Sequence, residues 1–215
     1  MAVTKSSKAG TKKSASKKAA RSKSAKTKNG NKSASNGSEK MNRGNSPIEK
    51  FFTDMLKDMY YTEEKLIEAL GKMESAATTE ELKEAFNDHA HQSKKHQRRL
   101  EKVFELIGKK AEAKKCDAIE GIINEAEKII EETPEGSMTR DAALIIAAQK
   151  AEHYEIASYG SLVQLAITMG LNNVADLLDD ILTEEERTDQ LLTDIAETSI
   201  NMQAENEEAA YSWMD

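Results

Sequence analysis

The sequence predicts an all-α fold: two αα-hairpins packed as a four-helix bundle, joined by a long crossover that carries a short helix, behind a disordered basic tail. Three observations predict it. Apolar residues in the 215-residue chain recur at gaps of three and four, the spacing of one helix face. Only Pro47 and Pro134 interrupt the chain, too few for the many turns of an all-β fold. Charge is also split: residues 1–45 hold 13 Lys/Arg against one acid, Glu39, whereas the remainder holds 18 bases against 37 acids.

The tail, residues 1–45, has no large apolar side chain from Thr4 to Lys40. It cannot bury enough surface to offset its ordering entropy, so disorder is expected. Its evenly spread lysines suit non-specific binding of DNA phosphates by residues 5–43, or simple solubilisation. It has no aromatic platform for stacking bases and no apolar face for a membrane.

A folded domain is expected over residues 46–205. Ser46-Pro47-Ile48-Glu49 starts the first helix: Ser46 caps, Pro47 suits the first turn and Glu49 completes a capping box. Ile48, Phe52, Met55, Met59, Leu66, Leu70 and Met73 form its apolar stripe. Thr78 with Glu81 reads as a second capping box. The second helix runs through Leu82, Phe86, Leu100, Val103 and Ile107 to a stop at Gly108. At about 30 residues it is about 45 Å long, a length the 109–138 connection can retrace. That connection carries a short amphipathic piece around Ile119–Ile130 and the Pro134-Glu135-Gly136 break. The third helix presents Ile145, Ala148, Tyr159, Leu162, Ala166 and Met169, and Gly170 ends it. Asn172 or Asn173 is the expected cap of the fourth, which continues through Val174, Leu178, Ile181, Leu192 and Ile195. Residues 206–215 are expected to fray. One long crossover in such a bundle is the ferritin-like arrangement.

Other classes are excluded. The longest apolar run, Ala142–Ala148, is far short of a bilayer span, so no membrane partner is expected. No apolar stretch follows the basic start, which argues against a secretory signal. A single cysteine, Cys116, suits a reducing cytoplasm.

Each apolar stripe is interrupted by polar residues. These are Glu63 on the first helix and His89, Ser93 and His96 on the second, with Gln92 at the edge. Glu152 and Glu155 interrupt the third, and Glu185 and Asp189 the fourth. Antiparallel neighbours are level when equally far from their turn. Glu63 and Ser93 each lie 15 residues from Thr78, while Glu155 and Arg187 each lie 16 from Leu171. Five carboxylates and at least one imidazole should therefore meet inside the bundle. Ionised carboxylates in a dry interior cost several kcal/mol each, and no Lys or Arg lies on the inner positions. One or two Fe or Mn ions would remove the repulsion. Taken singly, each polar residue also reads as a bundle-edge group that reaches solvent. His91 and His153 fall off the stripes and read as surface residues; Tyr60, Tyr61, Tyr154 and Tyr159 read as packing, the commoner role, or as redox-active neighbours of a metal.

The stretch Gln149–Gly160, QKAEHYEIASYG, is very similar to the signature of the YciE/YciF family of ferritin-like bacterial stress proteins. Asp141-Ala142-Ala143-Leu144-Ile145, Cys116-x-x-Ile119-Glu120-Gly121 and Glu184-Glu185-x-x-Thr188-Asp189 also resemble it, over about residues 47–205. The resemblance implies a dimeric, ferritin-like domain with a di-metal, ferroxidase-type site whose acidic residues fall on Glu63, Glu152, Glu155, Glu185 and Asp189. Where the family commonly reads His-Leu-Glu-Glu-Thr, this chain has His89-Ala90-His91-Gln92-Ser93, so Gln92 replaces a carboxylate. The candidate ligands are thus Glu63, His89, Gln92, His96, Glu152, Glu155, Glu185 and Asp189. The expected activity is Fe(II) oxidation. The rival is a non-enzymatic, nucleoid-associated helical dimer that binds DNA through its tail.

Overall fold

In a computed structural model, which describes residues 46–207, the domain is wholly helical. The expectations for the basic tail and for residues 208–215 lie outside the described residues. Five long helices follow in order: α1 (Pro47–Ala76), α2 (Glu80–Leu106), α3 (Asp117–Glu132), α4 (Met138–Thr168) and α5 (Asn172–Ile195). A π-helical turn, Ala196–Ile200, and a short α6, Asn201–Glu205, extend α5.

Helices α1 and α2 form one hairpin and α4 and α5 the other. Helix α2 also packs on α5 and α1 on α4, closing a four-helix ring. The crossover helix α3 lies outside it against α4 and α1. Arg140 fastens this helix: its guanidinium donates to the carbonyls of Ile130 and Thr133 at the C-terminal end of α3. Those carbonyls have no partner within their own helix.

The Ser46–Glu49 capping box forms as expected, with both reciprocal bonds at 3.2 Å. Gly108 and Gly170 adopt φ of 69° and 73°, the left-handed conformation that lets the chain reverse after α2 and α4. Ile48, expected on the buried stripe, is 43% exposed at the end of α1.

Two caps differ from expectation. Thr79, not Thr78, precedes α2, and its side chain makes no capping bond to that helix. The buried carboxylate of Asp141 on α4 instead accepts from the Thr78 and Thr79 amides at 2.7 and 2.8 Å and from the Thr79 hydroxyl at 2.8 Å. An ionised carboxylate at a helix N-terminus outcompetes a hydroxyl there. Neither Asn172 nor Asn173 caps α5; both lie inside its first turn. The turn after Gly170 is so tight that the Leu171 carbonyl already accepts from Val174 and Ala175. Beyond α6, the Glu207 carboxylate accepts from the Met138 and Thr139 amides at 2.8 and 3.0 Å, at the start of α4.

The interior has three layers. One apolar cluster gathers Leu70, Leu82, Phe86, Ile119, Leu144, Leu192 and Ile200, among others. A second gathers Phe52, Leu56, Leu100, Phe104, Leu162, Leu178 and Ile181. Between them, in the sequence of every ring helix, stand fully buried polar residues: Glu63, His89, Ser93, His96, Glu152, Glu155 and Glu185.

Candidate metal centre

Four helices deliver this polar waist because helical periodicity keeps one face inward through both apolar layers. Glu63 lies four residues after Met59 and three before Leu66, so it cannot leave the core without turning its buried neighbours out. The same logic holds for His89 and His96 between Phe86 and Leu100, and for Glu185 between Ile181 and Leu192.

The donor atoms converge in two groups. His89, Glu152, Glu155 and Glu185 each offer an atom within 4.8 Å of the others, and so do Glu63, His96 and Glu185. Glu185 belongs to both. In the first group, His89 Nδ1 is 3.0 Å from Glu152 Oε1 and its Nε2 is 3.5 Å from Glu185 Oε2. In the second, His96 Nδ1 is 2.9 Å from Glu185 Oε1 and 3.3 Å from Glu63 Oε1.

Few of these contacts are aligned hydrogen bonds. Both oxygens of Glu152, Glu155 and Glu185, one of Glu63, His89 Nε2, His96 Nδ1 and the Ser93 hydroxyl are buried without a hydrogen-bond partner. Proteins rarely leave buried polar atoms unpaired, and each one costs about 1–3 kcal/mol, more when charged. Carboxylate oxygens and imidazole nitrogens that face one another rather than donors are what a cation needs. The residues present therefore fit a divalent ion.

Their protonation fits as well. Burial alone would neutralise His89, but the Glu152 charge and contacts to Glu152 and Glu185 hold its pKa well above the imidazole range. For His96 the same opposition, with Glu185 and Glu63 prevailing over burial, sets the pKa at about 10. Burial raises Glu63, Glu155 and Glu152, the last to about 7. Glu185 also suffers burial, yet the two imidazoles overcome it and lower its pKa to about 2. Metal-free, the waist balances its charge by holding protons that a cation would displace.

Of the sequence candidates, the fold brings together Glu63, His89, His96, Glu152, Glu155 and Glu185. Gln92 and Asp189 stay outside both groups. Gln92 is half-buried beside the exposed His91. It sits about 60° round the helix from His89, at the edge of the inner face. Asp189 is rotated about 40° beyond Glu185. Its carboxylate lies 3.3 Å from Nε2 of the exposed His153 and 3.5 Å from the Gln149 amide. The cluster therefore holds four carboxylates rather than five, with two imidazoles.

Two outer contributors join the cluster, and the first, Glu184, escaped sequence reasoning. Glu184 accepts from His96 Nε2 at 2.9 Å and is clamped by both Arg99 guanidinium nitrogens at 2.8 and 2.7 Å. This outer carboxylate orients the ring so that Nδ1 faces Glu63 and Glu185, as second partners of metal-bound histidines do. The adjacent Glu184-Glu185 pair was the available signal. Tyr159, read from sequence as packing or as a neighbour of a metal, is fully buried and its hydroxyl donates to Glu63.

The chain belongs to the family described as DUF892, a domain of unknown function, which it matches over residues 47–205. Protein YciF of Escherichia coli K12 is 45% identical over 160 residues, 74% of this chain and 96% of that protein. The crystal structure of this E. coli stress protein superposes with a TM-score of 0.69 at 44% identity, covering 72% of this chain and 97% of that one. YcfI of Rhodopseudomonas palustris, for which a structural role is suggested, gives 0.67 at 34% identity, covering 71% and 96%. A Xanthomonas campestris protein at 22% identity shares the fold, with a TM-score of 0.59 over 76% of this chain and 99% of that one.

Proposed function

We propose that this relative of YciF binds one or two Fe or Mn ions at its waist and carries out ferroxidase-type oxidation of Fe(II) in stress defence, as a cytoplasmic homodimer. The observation that carries the reading is the convergence of unpaired, buried donor atoms from all four ring helices. His89, Glu152, Glu155 and Glu185 would hold one ion; Glu63, His96 and Glu185 would hold the other. A redox-active ion there supplies the electron that dioxygen or peroxide takes up. Around it, the Arg99–Glu184 clamp aims His96, and the Tyr159 hydroxyl fixes the Glu63 carboxylate. The apolar layers on either side exclude water and strengthen every charge interaction between them.

Anaerobic Fe(II) titration, followed by oxygen and watched by absorbance, tests the reading. Saturable binding at one or two ions per chain and an oxygen-dependent ferric signal are expected, both lost in Glu155→Ala. A protein that stays metal-free, or a Glu155→Ala variant that binds as wild type does, overturns it.

A second reading, a non-enzymatic dimer that holds DNA, is favoured by the excess positive charge of residues 5–43. A structural role is suggested for YcfI, which bears on the non-enzymatic part of this reading and not on DNA. Affinity must then come from the tail, since the acidic remainder repels DNA. Deleting residues 1–45 should abolish binding and its steep salt dependence, and weak binding by the full chain at low salt would sink this reading.

A further inference from the structure

The waist is walled off by apolar layers, yet one crevice approaches it. It lies beneath the crossover helix, between Ile122, Ile123 and Ala126 of α3 and Ala147, Ala148 and Ala151 of α4, and has a volume of about 10 Å³. His89 and Glu152 form part of its wall. Both are buried, with His89 Nε2 and both Glu152 oxygens unpaired.

The crevice selects by chemistry and size. Its exposed wall is wholly apolar, so it offers a cation nothing to replace its hydration shell. It has about the room that one water needs, but the His89 and Glu152 donor atoms are not exposed to it, so its open surface lacks the two to four polar partners that hold a water in place. What fits is a small, uncharged, apolar molecule. The alanines keep the space open, since a longer side chain at 147 or 151 would occupy it. The half-buried Ile122 and Ile123 form a cover carried by a helix outside the four-helix ring.

We infer that the crevice beneath α3 admits dioxygen to the His89–Glu152 side of the waist, by a route closed to cations. The use of that route rests on the proposed oxidation; the affinity for an apolar gas does not.

The test uses the full chain, kept metal-free by chelation and labelled with ¹³C at Ala, Ile, Leu and Val methyls, under pressurised oxygen. Dissolved dioxygen is paramagnetic and speeds relaxation of methyls it visits. The methyls of Ala147, Ala151 and Ile122 should relax several-fold faster than those of Leu100, Val103 and Leu178 in the other apolar cluster. Ala147→Leu should remove that excess, and Ala126→Val, a milder filling, should reduce it. Uniform relaxation in the wild-type protein overturns the inference whether or not either variant folds. Fast crevice methyls in a protein that binds no iron would sink the oxidation and leave the crevice standing. Tight iron binding with uniform methyl relaxation would do the reverse.

Discussion

The two apolar ends of the bundle and its polar waist are built from the same four helices but held by opposite means. At the ends, side chains such as Phe104, Leu82 and Ile181 lose their water entirely and gain close packing, a stabilisation that needs no partner and ignores pH. In the waist, equally buried positions carry Glu63, Glu152, Glu155 and Glu185, whose carboxylates lose hydration and mostly find no hydrogen-bond donor. Apolar residues of similar volume would often hold a fold as well or better. The contrast teaches that the waist is a stability cost carried for what it binds.

Removing a side chain from an end should give the largest effect. Phe104→Ala should lower unfolding stability by about 3–5 kcal/mol, measured by urea denaturation. It should leave the rise in melting temperature on adding Fe(II) or Mn(II) unchanged. Loss of that rise would mean that ends and waist are not separable. Next comes Glu185→Gln, which keeps the shape but withdraws the charge shared by both donor groups. It should cost about 1.5–3 kcal/mol in metal-free protein, by leaving two imidazolium rings without their common counter-ion. It should also abolish the metal-induced shift, whereas a retained shift would show that Glu185 does not join the two groups.

The third test is of pH. Glu152, Glu155, Glu63, His89 and His96 all bind protons more tightly folded than unfolded. Their contribution is complete at low pH and is lost as pH rises, through about 7 for Glu152 and about 10 for His96. Glu185, with its pKa lowered to about 2, acts oppositely and loses its contribution as pH falls below the usual carboxylate value. Metal-free protein should therefore be most stable near about pH 5 and weaken toward about pH 8. Metal-loaded protein should gain over the same interval, because displaced protons favour binding as pH rises. Parallel melting curves for the two forms would break the comparison.

Much of this was legible in the chain. The spacing of Phe52, Met59, Leu66 and Leu70 dictated one inward face, and Glu63 within it had to be buried. Counting from the turns placed Glu155 and Ser93 in the middle of their helices. Gly108, Gly170 and the Ser46 capping box act within a few residues of themselves, so sequence alone located them. The Thr78 and Asn172 caps failed for the opposite reason: the first was displaced by Asp141, distant in sequence, and the second by the tightness of a turn.

Helices, hairpins and a polar band in each ring helix follow from local periodicity and short-range turn chemistry, which the residues carry within a few positions of themselves. Which members of the band meet depends on how the helices pack against one another. A rotation of about 40–60° about a helix axis separates Glu185 from Asp189 and His89 from Gln92, and packing against neighbouring helices sets where the inner face ends. Packing also decides what supports them, since the Glu184–Arg99 clamp on His96 and the Tyr159–Glu63 bond join residues 85 or more apart in the chain.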